Sequence, residues 1–174
     1  SIDALANLTT ISGPCEIYNN TALSTIESLS SLTSLGSSLG LVNNFSLLSL
    51  SGLEAISIVG GDIMVTGNVS LSSLEGLNSV TTINGTLSVF DNYYLSTLAG
   101  LESLTTIGGS LSVERNDQLT DVQALYGLTT VGQNLYIRNN YSLAYCEVEN
   151  LPTSIGLWNI GGEYDVQGHT GPCE

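Results

Sequence analysis

A single histidine, His169, occurs in the 174 residues, which excludes a multi-histidine metal site within the chain and leaves one residue on which any Ser-His-Asp or Cys-His relay would have to rest. There is no lysine, which removes the glycine-rich phosphate loop that needs one. The chemistry left belongs to carboxylates. Glu27 and Glu75 share one position of a 24-residue period, two coils apart, and Glu54 and Glu102 share another. Each pair would then sit roughly 10 Å apart, which could formally serve an inverting glycosidase. Both pairs fall at outward positions with no visible cleft, so solvated surface charge is the better account. Asp117 and Asp121 could touch a calcium ion, but no EF-hand or nonapeptide calcium spacing surrounds them. The expectation is a chain without catalytic residues, metal or cofactor.

Sixteen residues are Asp or Glu and two are Arg, for a formal net charge of −14. Such a chain cannot neutralise a phosphate backbone or dock on anionic lipid, so nucleic acid and direct membrane insertion are not expected. Hydrophobic residues make up 42%, too many for a disordered acidic tail. No apolar run reaches the ~18 residues of a membrane span. Ser1 opens directly into patterned sequence without a secretory leader, as a mature or excised domain would.

The elements that must position any site are set by a repeat. Asn recurs at Asn20, Asn44, Asn68, Asn92, Asn116 and Asn140, without a slip. Three residues after each comes Leu (Leu23, Leu47, Leu71, Leu95, Leu119, Leu143), followed by apolar positions at steps of three. The spacing then changes to two, as in Leu87/Val89, Leu111/Val113 and Leu135/Ile137, the mark of a strand with one face buried. A Gly-rich bend such as Gly60-Gly61 or Gly108-Gly109 precedes that strand. No long helix fits. The pattern predicts an all-β, right-handed parallel β-solenoid of six to seven 24-residue coils, with a strong sheet from the L-x-[IV] strands and a weaker one near Leu104-Thr-Thr-Ile107. The Asn column is expected to stack as a structural ladder at one corner, bonding backbone of its own coil and the next. Asn also tolerates the unusual dihedrals of such corners. The column Ala4, Ser28, Gly52, Gly76, Gly100, Ala124 is uniformly small, which predicts a close backbone approach.

The strict repeats occupy residues 1–145, and residues 146–174 read as a C-terminal capping coil. Ile160-Gly-Gly-Glu-Tyr164-Asp-Val166 copies Ile107-Gly-Gly-Ser-Leu111-Ser-Val113, with an offset of 164 − 135 = 29 from the preceding coil. The same offset maps Cys173 to position 144, two residues from Cys146, so a Cys146–Cys173 disulfide is expected to close the end. A disulfide cap implies an oxidising compartment, extracellular or at a cell surface. Cys15 falls in an inward column, either as a small buried hydrophobe or as the partner of a cysteine upstream.

The run Asn92-x-x-Leu95-x-x-Leu98-x-Gly100-Leu101-x-x-Leu104-x-x-Ile107-Gly-Gly-x-Leu111-x-Val113-x-x-Asn116 resembles the receptor L-domain type of leucine-rich-repeat solenoid, found in bacterial surface and secreted proteins. The end, Asn140-Tyr-Ser-Leu143-Ala-Tyr-Cys146 followed by Val166-Gln-Gly-His-Thr-Gly-Pro-Cys173, is similar too, with His169 where that family usually has Asn. The resemblance spans essentially the whole chain and implies recognition or adhesion outside the cell rather than catalysis.

Residues facing outward from the main sheet are free to vary while the core columns stay fixed. Tyr18, Met64, Phe90, Glu114, Tyr136 and Arg138 fall in the two outward columns, and Arg115, Tyr93, Tyr94 and Tyr141 flank the Asn corner. Aromatic and Arg side chains are those that anchor interfaces and stack on sugar rings. These ten residues form the candidate binding face for a protein or carbohydrate ligand. Ordinary cross-strand packing of the aromatics is the equal alternative. Two further functions suit the pattern. The repeated Thr pairs, such as Thr81-Thr82, Thr105-Thr106 and Thr129-Thr130, could order water and bind ice, and the whole module could be a structural spacer or stalk.

Overall fold

The computed structural model of the chain describes residues 2–167. Short and longer strands alternate along it: β1 (Thr10–Ile11) and β2 (Cys15–Tyr18), β3 (Ser34–Leu35) and β4 (Leu39–Val42), β5 (Ile58–Val59) and β6 (Ile63–Thr66), β7 (Thr82–Ile83) and β8 (Leu87–Phe90), β9 (Thr106–Ile107) and β10 (Leu111–Glu114), β11 (Thr130–Val131) and β12 (Leu135–Arg138), then β13 (Tyr164–Gln167). The longer strands form a seven-stranded parallel sheet in the order β13-β12-β10-β8-β6-β4-β2, and the two-residue strands form a second, six-stranded sheet. Up to β12 each strand pairs with its counterpart 24 residues on, as Leu87 with Leu111 and Leu111 with Leu135. The chain is therefore an all-β parallel β-solenoid carrying two sheets, the weaker one at the Leu-Thr-Thr-Ile segments as the pattern predicts.

The alternation is visible in burial. Along Leu87–Phe90 the odd residues Leu87 and Val89 are fully buried, whereas Ser88 and Phe90 are partly exposed. Within one coil Leu95, Leu98, Leu101, Leu104, Ile107, Leu111 and Val113 all have 0% exposure. Each contributes about 2 kcal/mol through removal of apolar surface from water, and no coil can bury that face without its neighbours. Burial weakens in the first coil, where Ile2, Leu8, Ile11 and Ile17 are only partly covered.

The coil count differs from the expected six to seven. About five complete 24-residue turns are present, spanning the six ladder asparagines. The sheet reaches seven strands because β2 belongs to a partial coil and β13 to an irregular one. Leu135 pairs with Tyr164, an offset of 29 that matches the predicted alignment. The extra residues fold into a short helix, α1 (Leu151–Ile155), with Pro152 in its first turn, where a missing N–H is harmless. Leu151, Pro152 and Ile155 turn inward and cover the last coil.

The uniformly small column resolves into two turn forms. Gly52, Gly76 and Gly100 take φ of 114°, 114° and 110°. Where Ala4, Ser28 and Ala124 stand instead, the chain makes 3₁₀ turns at Asp3–Leu5, Glu27–Leu29 and Gln123–Leu125.

Cys15 is buried and free, and burial pushes its thiol pKa up. The Cys146–Cys173 pairing lies outside the described residues because Cys173 does. A thiol titration settles it. In guanidinium without reductant, one reactive thiol per chain is expected, that of Cys15, and three would refute the pairing. Among the described residues no helix is long and apolar enough to cross a membrane.

Candidate functional site

The corner that follows each main-sheet strand is held by the Asn ladder. Asn68 Nδ2 donates to Leu41 O at 2.8 Å, Asn92 Nδ2 to Val65 O at 2.9 Å and Asn116 Nδ2 to Val89 O at 3.0 Å. Each of these acceptors lies in the preceding coil. Each Asn Oδ1 accepts the backbone N–H of the preceding ladder residue, as from Asn68 to Asn92 at 2.9 Å and from Asn92 to Asn116 at 3.0 Å. Asn44 through Asn140 are fully buried. Both ends of the amide thus reach backward, with a weaker bond to the own coil where one forms, such as Asn116 Nδ2 to Glu114 O at 3.2 Å.

The unusual dihedral belongs to the neighbouring column. Asn19, Asn43, Asp91, Arg115 and Asn139 have φ between 54° and 58°, and Gly67 has φ 67°. This left-handed column directs the chain out of the strand and into the corner. Asn, Asp and Gly are the residue types that visit that region readily. Their side chains pair between adjacent coils at two places. Asn43 Nδ2 donates to Asn19 Oδ1 at 3.1 Å, and Arg115 Nε meets Asp91 Oδ1 at 3.1 Å. The composition of the column could have announced this conformation. Its varied identities hid it beside the invariant Asn.

The structure brings eight of the ten predicted ligand residues onto one flank. The Arg115 guanidinium lies 5.2 Å from the Phe90 ring centre. Arg138 lies 3.9 Å over the Tyr136 ring and pairs through Nη2 with Asp165 Oδ2 at 2.7 Å. Its Nε is buried without a protein partner. Glu114 sits in register between Phe90 and Arg138 and accepts a 2.6 Å bond from Ser112 Oγ. Tyr93 and Tyr141, with Asp91, Arg115, Asp117 and Asn139, line a shallow cavity of about 580 Å³ beside the Asn corner. Tyr94 meets Tyr93 edge-on at 4.9 Å and 88°. Tyr18 and Met64 stand apart, three coils from Phe90 and from Tyr136 in their respective columns. The Tyr18 ring covers Gly40, whose added Cβ would meet it at 2.6 Å.

Of the four carboxylates paired by the repeat, Glu54 and Glu102 cap backbone N–H groups. Glu54 Oε2 accepts the Gly52 N–H at 2.8 Å, and Glu102 Oε2 accepts that of Gly100 at 2.9 Å. Asp121 Oδ1 takes the Gln123 N–H at 3.2 Å. Among the described residues no three His, Cys, Asp or Glu side chains gather as metal ligands. The Thr hydroxyls also serve the stack, as Thr105 Oγ1 donates to Thr81 O at 3.1 Å and Thr129 Oγ1 to Thr105 O at 3.0 Å.

No protein-family model, curated protein or solved structure matches the chain, so the parallel β-solenoid of about five 24-residue turns is the level at which its class is established.

Proposed function

We propose that the chain is a non-enzymatic recognition or adhesion module of receptor L-domain type. It works outside the cell or at its surface, where a Cys146–Cys173 cap would be stable. It binds a protein or a glycan through the outward face of the seven-stranded sheet and the Asn corner beside it. One observation carries this reading. The only two cationic side chains of a chain with net charge −14 each lie over an outward aromatic ring, in adjacent coils of the same flank. Arg–aromatic pairs of this kind present a broad, rigid, amphipathic surface, the usual anchor of an interface. Solubility alone would place acids there, as on the rest of the solenoid.

The test is the double variant Phe90→Ala/Tyr136→Ala on arrays of glycans and extracellular proteins. Loss of wild-type hits with a nearly unchanged melting temperature is the expected result. Unchanged hits with a lowered melting temperature would assign both rings to cross-strand packing. A wild-type array without hits would favour a spacer or stalk.

A further inference from the structure

We propose that the cavity beside the Asn corner is a binding site for a neutral oligosaccharide. This deepens the recognition reading and rests on it, while moving the contact from the sheet face to the corner.

The cavity is built from two columns repeated over three coils. The residue before each ladder Asn contributes Asp91, Arg115 and Asn139, and the residue after it contributes Tyr93, Asp117 and Tyr141. Two carboxylates and one guanidinium give the lining a net charge of −1, within a chain of net charge −14. The guanidinium already faces Asp91. An anionic sugar or a phosphate would meet repulsion from Asp117 and from the protein as a whole. A purely apolar ligand would strip water from carboxylates and an amide without replacing their hydrogen bonds. A neutral polyol avoids both penalties, because each hydroxyl donates and accepts. The site offers acceptors in Asp91 and Asp117, donors in Arg115, and both in Asn139.

Tyr93 and Tyr141 supply the apolar faces. They are 46% and 58% exposed. They stand two coils apart, roughly 10 Å at the spacing of paired strands, so separate rings of one oligomer can stack on them. The edge-on contact with Tyr94 holds Tyr93 in orientation.

Arg115 is the second, independent observation. Its column is otherwise Asn, Gly and Asp, the residues suited to positive φ, yet Arg115 takes φ 57°. A long side chain has no local means of relieving that conformation, so it is held there at a conformational cost. Its side chain is 58% exposed, and its ion pair with Asp91 is of the weak surface kind. Neither that ion pair nor the 5.2 Å contact with the Phe90 ring requires a residue held at positive φ, whereas a guanidinium poised over the cavity does.

The experiment uses the full chain and saturation-transfer NMR, with cello-, laminari-, manno- and chito-hexaose as neutral probes and tetragalacturonate and sialyllactose as acidic ones. At least one neutral probe is expected to bind, with little change between about 50 mM and about 500 mM salt. Tyr141→Ala and Asp117→Ala should each weaken it about tenfold or more, and Tyr136→Ala should not. Arg115→Asn should weaken it similarly while the denaturation midpoint holds or rises, an outcome that a merely structural Arg would not give. Neutral binding that is lost in Tyr136→Ala and kept in Tyr141→Ala overturns the corner site and leaves the recognition module standing. Binding of acidic probes alone overturns the neutral ligand and likewise leaves the module. Failure of all six probes overturns the saccharide site, and the extracellular-protein array then decides the broader reading separately.

Discussion

Replacing Asn92 by Ala is expected to cost about 3 kcal/mol, comparable to truncating one of the buried leucines around it. The side chain lies in the middle of the ladder with no solvent exposure. Its removal leaves Val65 O without the 2.9 Å bond from Nδ2, and Asn68 N–H without the 2.9 Å bond to Oδ1. Both are backbone groups, and neither can reach water in the folded stack. Asn68 N–H is stripped of its partner, at about 1–3 kcal/mol, while Val65 O keeps its sheet bond in the β6–β8 pairing and loses a second one, at about 1 kcal/mol. Asn20→Ala supplies the contrast. Asn20 is exposed, and its Nδ2 contacts are to Tyr18 O at 3.0 Å and to Asn44 Oδ1 at 3.3 Å. Water replaces them readily, so a loss below about 1 kcal/mol is expected. Chemical denaturation of the two variants, with amide exchange at position 68, checks the prediction. Equal midpoints would mean that leucine packing alone holds the stack. Because each coil touches only its neighbours, the Asn92 variant should also broaden the transition, the coils on either side losing their coupling.

What was legible in the sequence follows from what a period can carry. The Leu and Val columns, the register of 24 and the continuation at offset 29 into β13 are all statements about recurrence, and each corresponds to a paired or buried position. The ladder Asn was legible as a position. The direction of its bonds was not, because an amide of fixed location can serve the coil before it or the coil after it. The left-handed column was missed since its constancy is conformational rather than chemical. Asn43, Gly67 and Asp91 share a φ and no side chain. The helix α1 was missed because five inserted residues are too few to show a period of their own. Candidate binding residues were chosen by column, and columns do not report side-chain reach. Tyr18 accordingly lies back over Gly40, whereas Tyr93 and Tyr141 converge with Asp91 and Asn139, which the sequence pattern did not single out, and with Asp117, which it offered only as a calcium ligand.

The small column gives the other large effect. Gly100→Ala is expected to destabilise by about 3 kcal/mol, although it adds only one methyl group. The backbone at Gly100 has φ 110°, a conformation that an L side chain rarely adopts. The added Cβ would strike the carbonyl of Leu74 in the preceding coil, and would stand 2.8 Å from Glu75 N. Those are backbone atoms of a packed coil and cannot swing aside as a side-chain end could. One relaxation is available, the 3₁₀ form that Gln123–Leu125 adopts with Ala124 in the same column. It would part Leu74 N–H from Ala99 O, now 2.9 Å apart, and Gly100 N–H from Glu102 Oε2. Each route therefore carries a penalty, whether strain and overlap or two lost hydrogen bonds. Gly13→Ala is the control, since an added Cβ there meets nothing within 4 Å and the φ is ordinary. It should be neutral or slightly stabilising, by up to about 1 kcal/mol, through the stiffer unfolded chain. Denaturation midpoints that coincide for the two variants would show that the coils do not approach as closely at Gly100 as the geometry requires. A midpoint lowered only in Gly100→Ala would make the glycine column, with the Asn ladder, the second fixed contact that sets the spacing of the stack.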